Sequence, residues 1–174
     1  MRSLDRFAAW DLALSVRLNR VCYRVTPRLV FRCISIAGDG IAWYALMAAL
    51  LLAHRNEAVL PVLHMIGVGL TCTVVYKWLK SRTLRPRPYQ AHQSIQQFTA
   101  PLDRFSFPSG HTLHAVAFSL IAASYYPELS AVLTVFSALI AASRVVLGLH
   151  YPSDVLAGAG IGAAIALISQ SLIA

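Results

Sequence analysis

Residues 143–154 read SRVVLGLHYPSD. An apolar run, Leu129–Leu147, leads into this stretch, and a second begins at Tyr151-Pro152-Ser153 and continues to the C-terminus. A proline-marked reversal between two such runs reads as the turn of a helical hairpin. In or beside that turn stand Ser143, Arg144, His150 and Asp154, the last two four residues apart. On a helix or tight turn, an acid at that spacing can lie against the imidazole, fix its tautomer and leave the other ring nitrogen free to attack. Arg144 offers a planar fork of donors suited to phosphate. Taken alone, the same residues read equally well as a loop arginine and an interfacial histidine capped by an acid.

Composition sets the environment. Of 174 residues, 57% are apolar and only 13% charged, the mean hydropathy is +0.62 and the formal net charge is +8. Charges this sparse in so apolar a chain exclude an ordinary soluble domain and point to a polytopic membrane protein. About five spanning helices with short turns use up the length, so 1–174 reads as a single all-α domain, a membrane helical bundle. Cys22, Cys33 and Cys72 have no metal-ligand spacing and sit in or near apolar stretches, where a thiol acts as a small hydrophobe. The partner expected for the basic charge is the lipid bilayer rather than nucleic acid.

Upstream of the opening stretch, the spans read as Leu129–Leu147, Thr112–Tyr126, Ala58–Leu79 and Ile34–Ala53. With the segment after Tyr151, five transmembrane helices occupy 34–173. Residues 1–27 form an amphipathic arm. Leu4, Phe7, Ala8, Leu14, Leu18 and Cys22 share one side at helical periodicity, and Arg17, Arg20 and Arg24 gather on another. That pattern suits a helix lying in the interface against anionic headgroups, broken or restarted at Thr26-Pro27. The arm holds no clean apolar run with a cleavage site, so no signal peptide is expected. Asp39, between Gly38 and Gly40, is expensive in a span; it reads as headgroup-level or as a partner for a catalytic-face arginine. His64 reads as structural and His114 as a packing or supporting residue.

Three polar constellations punctuate these spans. Lys77–Pro88, KWLKSRTLRPRP, gathers Lys80, Arg85 and Arg87 directly after the second span, with Lys77 and Arg82 suited to lipid anchoring. Tyr89–Phe107 is the longest connection, and a lid or access role is expected for it, with Phe98, Phe105 and Phe107 lining the way in or dipping into the interface. Pro108-Ser109-Gly110-His111 then opens the third span. Free N–H groups at that helix start make an anion site, Ser109 adds a hydroxyl, and His111 is placed to give a proton to whatever leaves. Counting crossings puts all three constellations, and the 143–154 turn among them, on one membrane face, with the turns at His54 and Pro127 on the other. Brought together there, basic donors, a serine, two histidines and an acid constitute a phosphate site with nucleophile and acid.

At this point the chain resembles the type 2 phosphatidic acid phosphatase superfamily, which also contains bacterial lipid phosphate phosphatases and vanadium-dependent haloperoxidases. Its three motifs match as Lys80 with six intervening residues before Arg87-Pro88, as Pro108-Ser109-Gly110-His111, and as Ser143-Arg144 with five residues before His150 and three more before Asp154. The resemblance implies a haloperoxidase-like helical core and catalysis with no metal or other cofactor. It makes His150 the nucleophile, Asp154 its orienting acid and His111 the general acid, with Lys80, Arg87, Ser109, Gly110 and Arg144 as phosphate ligands. The reaction implied is hydrolysis of a membrane lipid phosphate through a phosphohistidine. Phosphatidylglycerophosphate or phosphatidate is the expected substrate, with undecaprenyl diphosphate, transfer to a second lipid, or anionic-lipid binding without chemistry as alternatives. Fourteen of the fifteen Lys and Arg residues fall on the face of the site, and only Arg55 lies opposite. Positive-inside bias therefore puts that face in the cytoplasm of a multi-pass inner-membrane protein. Members of the family often place it on the periplasmic or luminal side, which a sixth crossing by the N-terminal segment would reproduce.

Overall fold

The structure, a computed structural model, describes residues 3–173, whose regular elements are all helical. Helix α1 (Ser3–Asn19) ends in a 3-10 turn; α2 (Val25–Ile36) passes through a π turn, Ala37–Ile41, into α3 (Ala42–His54). Then follow α4 (Val59–Thr83), the short α5 (Pro88–Ala91), α6 (Gly110–Tyr125), α7 (Ser130–Val146) and α8 (Pro152–Ile173). Three helical stretches among the described residues are long and apolar enough to cross a membrane: Val25–Ala91, Pro127–Val146 and Pro152–Ile173.

Helix α6 is the hub, packed on α4, α7 and α8. Its Leu113, Ala117, Ile121 and Ala122 are fully buried, in one cluster with Met65 of α4, Ile140 of α7 and Ala166 of α8. The outward faces carry apolar side chains instead of charges: Leu52, Val74, Val132 and Leu172 are all exposed. Such a surface, unfavourable in water, is what a bilayer accepts.

The closest approach of two helices sets up the site. A Cβ on Gly158 would stand 2.5 Å from the Ser109 carbonyl oxygen, and one on Gly162 would overlap the Leu113 carbonyl. Backbones can touch this way only where small residues recur at four-residue spacing. The contact brings α8 beneath the start of α6, where Ser109 N–H donates to the Asp154 carbonyl at 3.0 Å. At the opposite end the two short turns meet, the His54 and Tyr126 rings 4.9 Å apart. His64 sits toward that end, bridging Tyr125 and Ser169, and is structural.

The N-terminal third departs from the sequence reading. The helix that leads into the first expected span begins at Val25, upstream of Ile34, because Pro27 in the first turn of α2 needs no N–H partner and suits a helix start there. In α1 the packed side is polar: Asp11, Ser15 and Asn19 are buried, while Phe7 and Trp10 are about half exposed. The surface beneath them explains this, since it is made of helix ends with unsatisfied backbone groups. Asn19 Nδ2 donates to the carbonyls of Val146 and Gln96 and its Oδ1 accepts from Gln96 N–H. Asp11 accepts from Ser153 N–H at the start of α8. Helix α1 therefore lies across the end of α7 and the start of α8. Leu14 and Leu18 are half-buried, Cys22 is buried, and Leu4 falls outside the described side chains. Phe98, expected along an access path, packs with Cys22, Leu147 and Leu149 and takes Arg28 over its ring.

Candidate active site

Lys80 lies in the last turn of α4 and points inward, almost fully buried. Its Nζ donates to Asp103 Oδ1 and to the Phe105 carbonyl, both at 2.8 Å. Arg87, just beyond, is 1% exposed and donates from Nη2 to the same Asp103 oxygen at 2.8 Å, from Nε to the Asp103 carbonyl and from Nη1 to the Leu149 carbonyl. One carboxylate oxygen thus bridges two cations. Burial by itself would raise the pKa of Asp103, but the hydrogen bond and charge of Lys80 and the charge of Arg87 outweigh it and hold the carboxyl below its ordinary range.

The turn after α7 folds back on itself, so that Leu149 and His150 both donate their N–H groups to the Arg144 carbonyl at 3.0 Å. This places the His150 ring, 1% exposed, between two differently charged partners. Nε2 is 3.3 Å from Arg87 Nη1, and Nδ1 is 3.7 Å from Asp154 Oδ2. A guanidinium can only donate, so Nε2 accepts and the proton of the neutral ring sits on Nδ1, facing Asp154. Burial, and then the charges of Arg87, Arg144 and Lys80, push the His150 pKa well below its ordinary value. The ring is therefore neutral at pH 7. Its Nδ1 lies in contact with Asp154 but beyond hydrogen-bond length, and has no hydrogen-bond partner among the described residues.

Asp154 is fully buried and engaged elsewhere: Oδ2 accepts from Tyr151 N–H at 2.9 Å, and Oδ1 accepts from Arg85 Nη1 at 2.6 Å. Arg85 also donates to Ser153 Oγ and to Asp11 Oδ2, both at 2.8 Å, and stacks on the Tyr151 ring. The acid beside His150 is thereby tied through Arg85 to α1.

The third group surrounds His111, in the first turn of α6. Its Nε2 is hydrogen-bonded to Asp39 Oδ1 on the π turn. Arg144, 2% exposed, donates from Nη1 to Ser35 Oγ, and its Nε has no hydrogen-bond partner among the described residues. Ser109 is buried with its hydroxyl 3.0 Å from Thr112 Oγ1, and Gly110 faces Tyr76. His114, one turn deeper, is 2.9 Å from the Gly110 carbonyl through Nδ1 and 3.2 Å from Thr73 Oγ1 through Nε2. That is a supporting position. Among the described residues, no group of three or more His, Cys, Asp or Glu side chains is placed to hold a metal ion.

The structure thus gathers the eight sequence-predicted residues at one end of the bundle. It adds Asp11, Arg85, Asp103 and Ser35, and it pairs Asp39 with the histidine rather than with an arginine. A signal for the acids was available: this apolar chain has only seven Asp and Glu residues, and an acid that is not at a helix-end turn needs a partner. A cleft of ≈ 290 Å³ between α3, α4 and α6 reaches the part of the site formed by Asp39, Asp103, Gly110 and His111. Its polar end holds Asp39, Asp103 and His111, and its walls are apolar, including Trp43, Met47, Leu70 and Phe118. Tyr44 and Leu70, also in its lining, are 73% and 65% exposed.

The chain is similar to several known proteins. A family model described as "PAP2 superfamily" matches residues 57–173. The lipid A 1-phosphatase of Rhizobium johnstonii is 30% identical over 155 residues, covering 84% of this chain and 62% of that protein. The undecaprenyl-diphosphatase BcrC of Bacillus subtilis is 28% identical over 116 residues, covering 67% of this chain and 60% of its own. The chain spans about three fifths of the length of the curated relatives it matches. The crystal structure of Aquifex aeolicus LpxE superposes with a TM-score of 0.80 at 27% identity, covering 92% of this chain and 94% of the other.

Proposed function

Because the chain belongs to the PAP2 superfamily, we propose that it is a membrane lipid phosphatase that takes a phosphoryl group from a lipid phosphomonoester or diphosphate onto His150. The observation that carries this reading is the placement of His150 Nε2, free to accept and 3.3 Å from Arg87, whose guanidinium shares one oxygen of the loop carboxylate Asp103 with the Lys80 ammonium. Such a ring is a nucleophile aimed at an anion site. The apolar cleft opening toward lipid supplies room for acyl or prenyl chains, and the names of the relatives, a lipid A phosphatase and a prenyl diphosphatase, indicate the substrate class.

In the reaction, the phosphate displaces Asp103 from Lys80 and Arg87 and meets Arg144 and the first-turn amides of α6. These donors neutralise the equatorial oxygens where charge develops in phosphoryl transfer. His150 Nε2 attacks phosphorus in line as the bond to the leaving oxygen breaks, and that oxygen takes a proton from His111. The Nδ1–H of His150 closes on Asp154, whose charge offsets the positive ring. Water then gives a proton to His111 and attacks the phosphohistidine; the N–P bond breaks and phosphate leaves. The residues needed for each step belong to this chain.

The test is phosphate release by purified protein from a panel of lipid A 1-phosphate, phosphatidylglycerophosphate, phosphatidate and undecaprenyl diphosphate. Turnover of at least one, abolished in His150→Ala, supports the reading. Tight binding of these lipids with no release is the outcome that rejects it.

A further inference from the structure

We infer that Asp39 is a positioning residue of the phosphoryl-transfer step, holding the His111 ring so that its proton reaches the leaving oxygen. The inference rests on the phosphatase reading and adds a second carboxylate–imidazole pair to the one formed by Asp154 and His150.

The local backbone explains how Asp39 reaches the site. The helix running from Val25 to His54 is interrupted by the π turn Ala37–Ile41, and Gly40 within it adopts φ 127, a conformation that side-chain-bearing residues rarely take. Gly38 lies against α7, where a Cβ would stand 3.0 Å from Ile140 Cδ1. Between the two glycines the chain turns one carboxylate toward His111. Asp39 and His111 both line the apolar cleft, at its polar end. The Asp39 side chain is 30% exposed, into a cleft with apolar walls; a carboxylate in such surroundings is costly without a partner, and a continuous apolar helix with no π turn would serve packing alone better. The expense is accounted for if the carboxylate orients an imidazole that must carry charge during the reaction. Because α2 and α3 also carry Ser35, hydrogen-bonded to Arg144, the bent helix sets both the proton donor and one phosphate ligand.

The step is balanced as follows. His150 Nε2 forms a bond to phosphorus, the bond from phosphorus to the ester oxygen breaks with its electron pair leaving on oxygen, and that oxygen takes the Nδ1 proton of the His111 imidazolium, whose Nε2–H stays on Asp39, to depart as an alcohol. Proton transfer matters when the departing group is an alkoxide and matters little when it is a phenolate that is stable without the proton.

That difference gives a test that a purely structural role would not move. For native protein and Asp39→Asn in the same detergent, kcat/KM is measured for a short-chain alkyl phosphomonoester and for p-nitrophenyl phosphate; this parameter reads the steps through phosphohistidine formation. The ratio of alkyl to aryl kcat/KM should fall about tenfold or more in Asp39→Asn. Any inactive fraction cancels in the ratio, so partial misfolding does not mimic the effect. His111→Gln should show the same signature, and the double variant should lower the ratio no further. Equal losses for both substrates in Asp39→Asn, with a native protein that turns over both, overturn this inference alone. A native protein that turns over neither overturns the phosphatase reading on which it rests.

Discussion

Replacing Asp103 by Asn should tighten the binding of a phosphate mimic, although Asp103 is the most visible ion-pair partner in the site. Its Oδ1 lies 2.8 Å from both Lys80 Nζ and Arg87 Nη2, on the side from which a substrate would approach. A hydrogen bond to a charged group contributes about 1.5–3 kcal/mol. Asp103 has a side chain 37% exposed, so solvent screening reduces each contact to about 1 kcal/mol. Together they amount to roughly 2 kcal/mol that an incoming oxyanion must overcome. The Asn side chain keeps a weaker acceptor without the charge, so about half of that opposition remains. Orthovanadate should then bind roughly fivefold to tenfold tighter. Isothermal titration of vanadate into detergent-solubilised native and variant protein reads this directly, without any turnover. Weaker binding in Asp103→Asn would refute the reasoning, because it would mean that the carboxylate holds the two cations in place for phosphate instead of competing with it.

Further predictions concern the nucleophile, the helix seam, acid stability and metal independence. His150→Ala should abolish phosphate release while circular dichroism of the same sample stays native; near-normal turnover contradicts the nucleophile assignment. Gly158→Ala should destabilise by about 1–3 kcal/mol, seen as a lower thermal midpoint, because the new methyl meets the Ser109 carbonyl at 2.5 Å and backbone cannot yield cheaply. His150 has a folded-state pKa below its unfolded value, so on acidification the unfolded chain takes up the proton first. Its stability contribution is full above about pH 6.5 and is lost as pH falls through the folded value, so His150→Gln should lose less thermal stability than native protein between pH 7 and pH 5. Phosphate release should persist in EDTA and fall with orthovanadate; loss in EDTA restored by Mg²⁺ would require a metal mechanism.

The parts of the structure that were legible in the sequence are those fixed by local pattern. The spans around α4, α6, α7 and α8 follow from apolar run length bounded by Pro61, Pro108, Pro127 and Pro152, and the shared face of the site residues follows from counting crossings. Periodicity showed α1 to be amphipathic but not what its polar side would meet. The actual packing face, Asp11, Ser15 and Asn19, is set by unpaired backbone groups at the ends of α7 and α8, which lie more than a hundred residues away. Pairings such as Asp103 with Lys80 and Arg87, or Asp39 with His111, depend on where a long loop and a π turn deposit one carboxylate. No spacing rule records that. The contact between His150 and Asp154 was legible at i, i+4, but its 3.7 Å separation, and the Arg85 that holds Asp154 from the other side, were not.

The central claim is that His150 carries the phosphoryl group, and it is tested most directly by trapping that intermediate. Native protein mixed with a labelled lipid phosphate is quenched within milliseconds in alkaline detergent, where a phosphohistidine survives, and its peptides are sequenced by mass spectrometry. A phosphoryl group on the peptide holding His150, at that residue and absent in His150→Ala, is the predicted result. Turnover at full rate with no protein-bound phosphoryl group, or with the group on His111, would contradict it.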